Sequence, residues 1–340
     1  MSISLLIIYL KKKLLREPKI AYTLNMITPR HLVILNPVAA KGAAGARREE
    51  LETLLNAHGL VYDLVQTEYV WHAAELAREA GKKGYEVVVA CGGDGTMNEV
   101  INGLMIASDN GETIPSMGAL ALGRGNDFAH GADIPSELAA GVVTLVEGKK
   151  RALDVGIIRG GLYPEGRYFG NGVGIGFDTI VGLHAAKMKI IKGFMTYVAG
   201  AIKTFVLYPI APLVRFGHDS ILIEQESHQI SIMNGDRMGG TFFMAPYAQN
   251  YDGLFDFCIA TRLRRRDMAV SIVRYTKGTQ GELPFFKMGR AEHFSVEALK
   301  GGLYIHADGE TICENGIKVE IECLPGRIQM ICSGGVNHSK

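Results

Sequence analysis

The chain has 340 residues, 47% of them hydrophobic and 21% charged, with a net charge of +1. That length suffices for two domains with separate cores, and the charge balance gives no global reason to expect nucleic acid. Five scattered cysteines (Cys91, Cys258, Cys313, Cys323, Cys332) include no CxxC pair, which speaks against a disulfide framework or a zinc site and for reduced thiols in a cytosolic protein.

Residues 1–28 stand apart. Their apolar run is far short of the roughly twenty residues of a membrane span, and its lysines follow the run, whereas a secretory signal carries its charge first. Two readings remain: an amphipathic interfacial anchor, or a tail ahead of a true start at Met26. From residue 31 short apolar runs alternate with amphipathic helices. HLVILN (31–36), VYDLVQ (61–66), EVVVAC (86–91) and MGALAL (117–122) read as strands. ARREELETLLNAHG (46–59), WHAAELAREAGKKG (71–84) and TMNEVINGLMIA (96–107) read as helices. Uninterrupted apolar strands joined by helices mean a parallel sheet covered on both faces. After about residue 154 the pattern becomes short alternating strands punctuated by Gly, Asn and Asp, the mark of an antiparallel sheet or sandwich. Helical stretches at 178–208 and 267–279 interrupt it. A Rossmann-like α/β domain followed by a β-sandwich domain, with a cleft between, is the expected architecture.

Ligands in parallel sheets gather beyond the carboxyl ends of the strands, where NPVAAKG (36–42), GGDGT (92–96) and GRGND (123–127) all fall. Backbone N–H groups and Lys41 in the first loop suit a phosphate, although an ordinary turn has the same composition. In the second, glycines let phosphate approach the backbone. Asp94 among them would repel phosphate unless a divalent cation lies between, so it is either a metal-organising residue or the cap of the helix beginning at Thr96. Asp127, and Asp252 with Asp256 in QNYDGLFDF, have turn-forming explanations of equal weight. In YIHADGETI, Asp308 and Glu310 flank a glycine. A hairpin turn explains Asp-Gly, and a carboxylate acting as general base is the sharper alternative.

The string GGDGTMNEVINGL resembles the signature of the diacylglycerol-kinase catalytic superfamily, with NAD kinases and phosphofructokinases sharing only its Gly-Gly-Asp-Gly core. GRGNDFAHG is similar to that family's second motif, YDGLFDF to its Asp-Gly-x-Leu-Asp, and HADGE to its Asp-Gly-Glu segment. KGFMTYVAGAIKTFVLYP (192–209) is similar to the helix that follows the Gly-rich strands in the soluble bacterial branch. The resemblance implies an ATP- and Mg²⁺-dependent lipid kinase. It places Asn36, Pro37, Val38, Ala39, Ala40, Lys41, Thr67, Gly93, Asp94, Gly95, Thr96, Met97, Asn98 and Glu99 at the nucleotide. It puts Asp94, Asp127 and Asp252 in a magnesium network, with Gln249 and Leu254 offering carbonyls, and has Asp308 activate the acceptor hydroxyl as general base, with Glu310 beside it as the other candidate to take the proton. Three positions depart from the pattern: Ala121 for proline, Arg124 for threonine and His130 for arginine. Arg124 either replaces a hydroxyl by a charge-assisted phosphate contact or signals altered nucleotide handling.

The expected domains are an extension (1–28), a nucleotide-binding domain (29–153), a β-rich lipid domain (154–325) and a C-terminal segment (326–340) returning to the first. Expected partners are a lipid at a membrane surface and a peripheral membrane contact, with no nucleic acid and a homodimer left open; the location would be cytoplasmic with transient membrane association. Lys187, Lys189, Lys192 and Lys203 among large apolar residues suit an anionic membrane, or equally a packed helix with solvated lysines. TRLRRRD (261–267) is more simply a solvated face. A kinase for a soluble acceptor such as NAD, or a non-catalytic nucleotide- or lipid-binding regulator, are the competing readings.

Overall fold

The computed structural model describes residues 30–186, 203, 205–207 and 210–334. The readings of residues 1–28 and of most of the 187–209 stretch, including Lys187, Lys189 and Lys192, lie outside the described residues. No helix among the described residues is long and apolar enough to cross a membrane.

Strands β1 (Arg30–Leu35), β2 (Val61–Gln66), β3 (Val87–Gly92) and β4 (Ser116–Ala121) form a parallel sheet in the order β2-β1-β3-β4. Side chains alternate across a strand, and both faces here are apolar. Leu32, Ile34, Val88 and Ala90 pack with Ala73, Ala77, Met97 and Ile101 of two helices, His72–Ala80 and Asp94–Asp109. Val33, Leu35, Val87 and Val89 pack on the other face with Leu51, Leu55, Leu138 and Val142 of helices Arg48–Ala57 and Leu138–Glu147. One helix begins earlier than its apolar periodicity suggests, at Asp94 and not Thr96. Asp94 therefore lies in the first turn, and no side chain caps that helix.

The rest of the chain is mostly antiparallel: β5 (Lys150–Gly160), β6 (Tyr163–Phe169), β7 (Gly172–Gly176), β8 (Leu213–His218), β9 (Ile221–Met233), β10 (Phe255–Thr261), β11 (Phe286–Ala291), β12 (His293–Lys300), β13 (Leu303–Ala307), β14 (Glu310–Gly316) and β15 (Lys318–Ile331). β9 pairs with β8 along its first half and with β7 and β10 along its second, so one strand runs through both sheets of a sandwich. Phe169, Phe216, Phe255, Phe257 and Phe294 fill the space between them. β15 pairs with β12 and β5, then runs beside β4 at Met330 and Met117, which makes the strands one hydrogen-bonded system. Among the described residues two helices lie on the sandwich, Phe177–Ala186 and Arg265–Tyr275, the latter starting and stopping earlier than the 267–279 stretch the sequence suggested.

Candidate active site

The loops after β1, β3 and β4 meet at the carboxyl edge of the parallel sheet. Asn36 donates from Nδ2 to Thr96 Oγ1 at 2.9 Å, and its Oδ1 accepts the Val38 N–H. Ala40 and Lys41 take left-handed backbone conformations (φ 49 and 64), folding the first loop back into its helix. The second and third loops touch backbone to backbone, since a Cβ on Gly123 would lie 2.3 Å from Gly93 Cα. Gly95 faces open space, which leaves the start of the Asp94–Asp109 helix accessible to an anion. Lys41 on the first loop and Arg124 on the third are exposed, and Thr67 is half-buried with its N–H on Leu35 O. Met97 is wholly buried in the core, so only the front of the 93–99 stretch presents itself to a ligand.

Asp94 does not cap its helix. Its Oδ1 accepts the Phe128 N–H at 3.0 Å, tying the second loop to the third. Asp127, 6% exposed, accepts the Gly240 N–H at 2.9 and 3.1 Å on its two oxygens and lies 3.1 Å from Arg237 Nε. Gly125 separates the two acids: a Cβ there would sit 2.9 Å from Asp94 Oδ2 and 3.6 Å from Asp127 Oδ2. Burial pushes the Asp127 carboxyl up to about 6, with the charge of Asp94 as the next cause. Burial also raises Asp94, with Asp308 adding to it. Two desolvated carboxylates that repel each other suit a divalent cation, and a magnesium ion needs only one or two protein carboxylates when phosphate and water complete its shell. The donor set fits.

Asp308 and Gly309 are the left-handed pair (φ 47 and 83) of a tight hairpin closed by Ala307 and Glu310. The Asp308 carboxylate is fully engaged. Oδ2 accepts from Gly170 N (2.7 Å) and Asn98 Nδ2 (2.9 Å), Oδ1 from Asn171 N and Gly172 N (both 2.9 Å). These donors come from the Asp94–Asp109 helix and the β6–β7 connection, so Asp308 pins the hairpin against both halves of the molecule. Glu310, half-buried beside it, has no hydrogen-bond partner for its carboxylate among the described residues. Glu99 accepts the Ala73 N–H at 3.2 Å, and burial followed by the charge of Glu310 raises its carboxyl.

Asp252 lies elsewhere in the network. It pairs with Arg290, whose Nε also reaches Asp256 at 3.1 Å, and its Oδ1 accepts the Leu254 N–H at 3.2 Å. Gln249 is exposed. One guanidinium thus faces both Asp252 and Asp256, and among the described residues no hydrogen bond or ion pair joins Gln249, Asp252 or Leu254 to Asp94 or Asp127. No group of three or more His, Cys, Asp or Glu side chains arranged for a metal occurs among the described residues. His130 lies 3.4 Å from Asp236, and all five cysteines are buried and unbridged.

Several contributors escaped the sequence reading. Asn102 brackets Tyr168 by accepting its N–H and donating to its O, Asn234 donates to Asp154 O and Gly170 O, and Arg237 holds the Gly125 and Asn126 carbonyls. The only signal available was the string FGNG (169–172), whose glycines leave N–H groups unobstructed. On the far side of β7 and β13 an apolar cavity of about 690 Å³ is bordered by Ile175, Ile180, Leu183, Leu207, Leu303 and Tyr304.

Residues 30–158 match the family model described as the diacylglycerol kinase catalytic domain. Residues 171–332 match the YegS C-terminal NAD kinase beta sandwich-like domain. A Pseudomonas aeruginosa protein named "Probable lipid kinase YegS-like" is 31% identical over 263 residues, 77% of this chain and 82% of its own. A Staphylococcus saprophyticus protein named "Diacylglycerol kinase" is 26% identical over 284 residues, 83% of this chain and 88% of its own. A solved diacylglycerol kinase from Bacillus anthracis has a TM-score of 0.66 and 18% identity, over 90% of this chain and 97% of its own, a likeness of fold.

Proposed function

The chain belongs to the diacylglycerol-kinase and YegS-like lipid-kinase family, and from that premise we propose that it transfers the γ-phosphoryl group of ATP, with Mg²⁺, to a hydroxyl of diacylglycerol or a related lipid. The observation that carries this reading is the meeting of two acidic sets. Asp94 and Asp127 sit at the loop edge, and the helix that begins at Asp94 reaches the hairpin of the other half of the chain through Asn98, whose Nδ2 donates to Asp308 Oδ2 at 2.9 Å.

Phosphoryl transfer depends on positioning and charge neutralisation more than on covalent help. A magnesium ion held by Asp94 and Asp127 would supply the charge that offsets the donor phosphates. The open backbone at Gly95, with Lys41 and Arg124 at the rim, receives those phosphates. Asp308, its oxygens filled by four donors, fixes the hairpin. Glu310, whose oxygens are free, takes the proton from the acceptor hydroxyl. This assigns the base to Glu310 and the anchoring to Asp308, where the sequence alone favoured Asp308 as base. The apolar cavity behind β7 and β13 accommodates an acyl chain, and exposed Val206, Leu207 and Ile210 near its rim face the membrane that supplies it.

Labelled ATP offered with diacylglycerol, phosphatidylglycerol, a sphingoid base and NAD tests the reading. Label on a lipid, abolished by EDTA, is expected. Label on NAD alone would sink it, and nucleotide binding without transfer to any acceptor would make the chain a regulator.

A further inference from the structure

Arg167, near the end of β6, is a cation without an assignment in that scheme. Its Cζ lies 3.5 Å from the Trp71 ring centroid and 5.0 Å from that of Tyr163. Nε and Nη2 are buried with no hydrogen-bond partner, and no carboxylate among the described residues forms an ion pair with it. Its acidic electrostatic neighbours are nevertheless Glu310, Glu99 and Asp308. A guanidinium stands among the carboxylates of the transfer site with its fork unused.

Trp71 bears a cost to hold it there. Its φ is 74, a left-handed conformation that is unusual and strained for a bulky residue. The turn is held from below by Glu99 accepting the Ala73 N–H. An Arg stacked flat on an indole is both oriented and partly desolvated. Nη1, the one nitrogen of the group that is not shut away from solvent, presents its unsatisfied donors from a guanidinium already held in place, which suits a charge-assisted bond to a phosphate oxygen. A merely structural arginine would instead be closed onto one of the three nearby acids, because an unsatisfied buried donor is destabilising.

We propose that Arg167, clamped on Trp71, is a phosphate-contacting residue on the acceptor side of the site. It engages a phosphoryl oxygen next to Glu310, belonging either to the group in transfer or to a phosphodiester already carried by the acceptor lipid. The inference rests on the kinase reading for its kinetic consequence, but its binding consequence can be measured separately.

Trp71 is the sole tryptophan, so the intrinsic fluorescence of the full-length chain reports on this stack alone. Titration with ATP and magnesium, with inorganic phosphate and with phosphatidylglycerol micelles is expected to change that fluorescence in the wild type and not in R167A. In transfer assays R167A should lose about 10²- to 10³-fold in kcat/KM, as when one charge-stabilising donor is removed. R167K, or added guanidinium ion, should recover part of it. A kcat loss shared by diacylglycerol and phosphatidylglycerol identifies the transferred group, and a KM rise confined to phosphatidylglycerol identifies the acceptor's own phosphodiester. A fluorescence response without transfer to any lipid would leave the inference standing and remove the kinase reading. An unchanged Trp71 signal with all three ligands would overturn the inference. So would a loss in R167A that neither lysine nor guanidinium restores and that accompanies a lowered Tm, which would make the stack a structural clamp.

Discussion

Replacing Asp127 with Asn should make the metal-free protein more stable above pH 6 while removing its response to magnesium. Asp127 is 6% exposed, and its carboxyl titrates at about 6 because burial and the charge of Asp94 outweigh the Gly240 N–H and Arg237. Against an ordinary carboxylate near 4 this is roughly a hundredfold in proton affinity, or about 3 kcal/mol. The folded-state value is raised, so stability is complete below the unfolded value, near pH 4, and is lost as the pH climbs through about 6. Asparagine carries no charge to desolvate and can still accept the Gly240 N–H. It gives up the contact with Arg237, whose Nη2 keeps the Gly125 and Asn126 carbonyls. Because the value of about 6 already includes the attraction of Arg237, the gain expected at pH 8 is up to about 3 kcal/mol. Urea unfolding in EDTA at pH 8, 6 and 4 measures it. The gain should shrink toward zero at pH 4, and magnesium at pH 8 should stabilise the wild type but not the variant. A variant less stable than wild type at pH 8 in EDTA, or a difference indifferent to pH, would refute the reasoning.

Two further pairs of substitutions separate the roles of neighbouring residues. E310Q should keep its Tm and lose about 10²- to 10⁴-fold in transfer rate, whereas D308N should lose both, because an amide turns N–H groups toward N–H groups at an unsatisfied cost of about 1–3 kcal/mol. An inactive but fully stable D308N beside a near-normal E310Q would return the base to Asp308. G123A forces a Cβ to within 2.3 Å of the Gly93 backbone and should lower stability by about 1–3 kcal/mol and weaken ATP binding. G95A, with nothing within 4 Å of its added carbon, is the control; equal Tm values for the two would contradict the loop contact.

The parallel sheet was legible because β1, β3 and β4 are apolar on both faces, and Val33 and Ile34 can only go to opposite layers. The glycine-rich loops were legible because a strand end, a glycine cluster and a helix start are local signals. The helix start at Asp94 was not, since apolar periodicity begins only at Thr96 and the first turn carries none. Nor could the sequence tell a capping aspartate from one that braces another loop, because the deciding partner, Phe128 N, is far along the chain.

What the sequence by itself determined was the inventory: which glycine-rich loops end the parallel strands, which acids stand on them, and an Asp-Gly pair able to turn a hairpin. These follow from side-chain period, backbone freedom and turn chemistry, all local. Only the tertiary structure decided the division among the acids. Asp252 is taken by Arg290, Asp308 by four donors, and Glu310 is left with free oxygens. An acid's chemistry is set by the donors and charges that long-range packing brings to it, and no spacing along the chain records those.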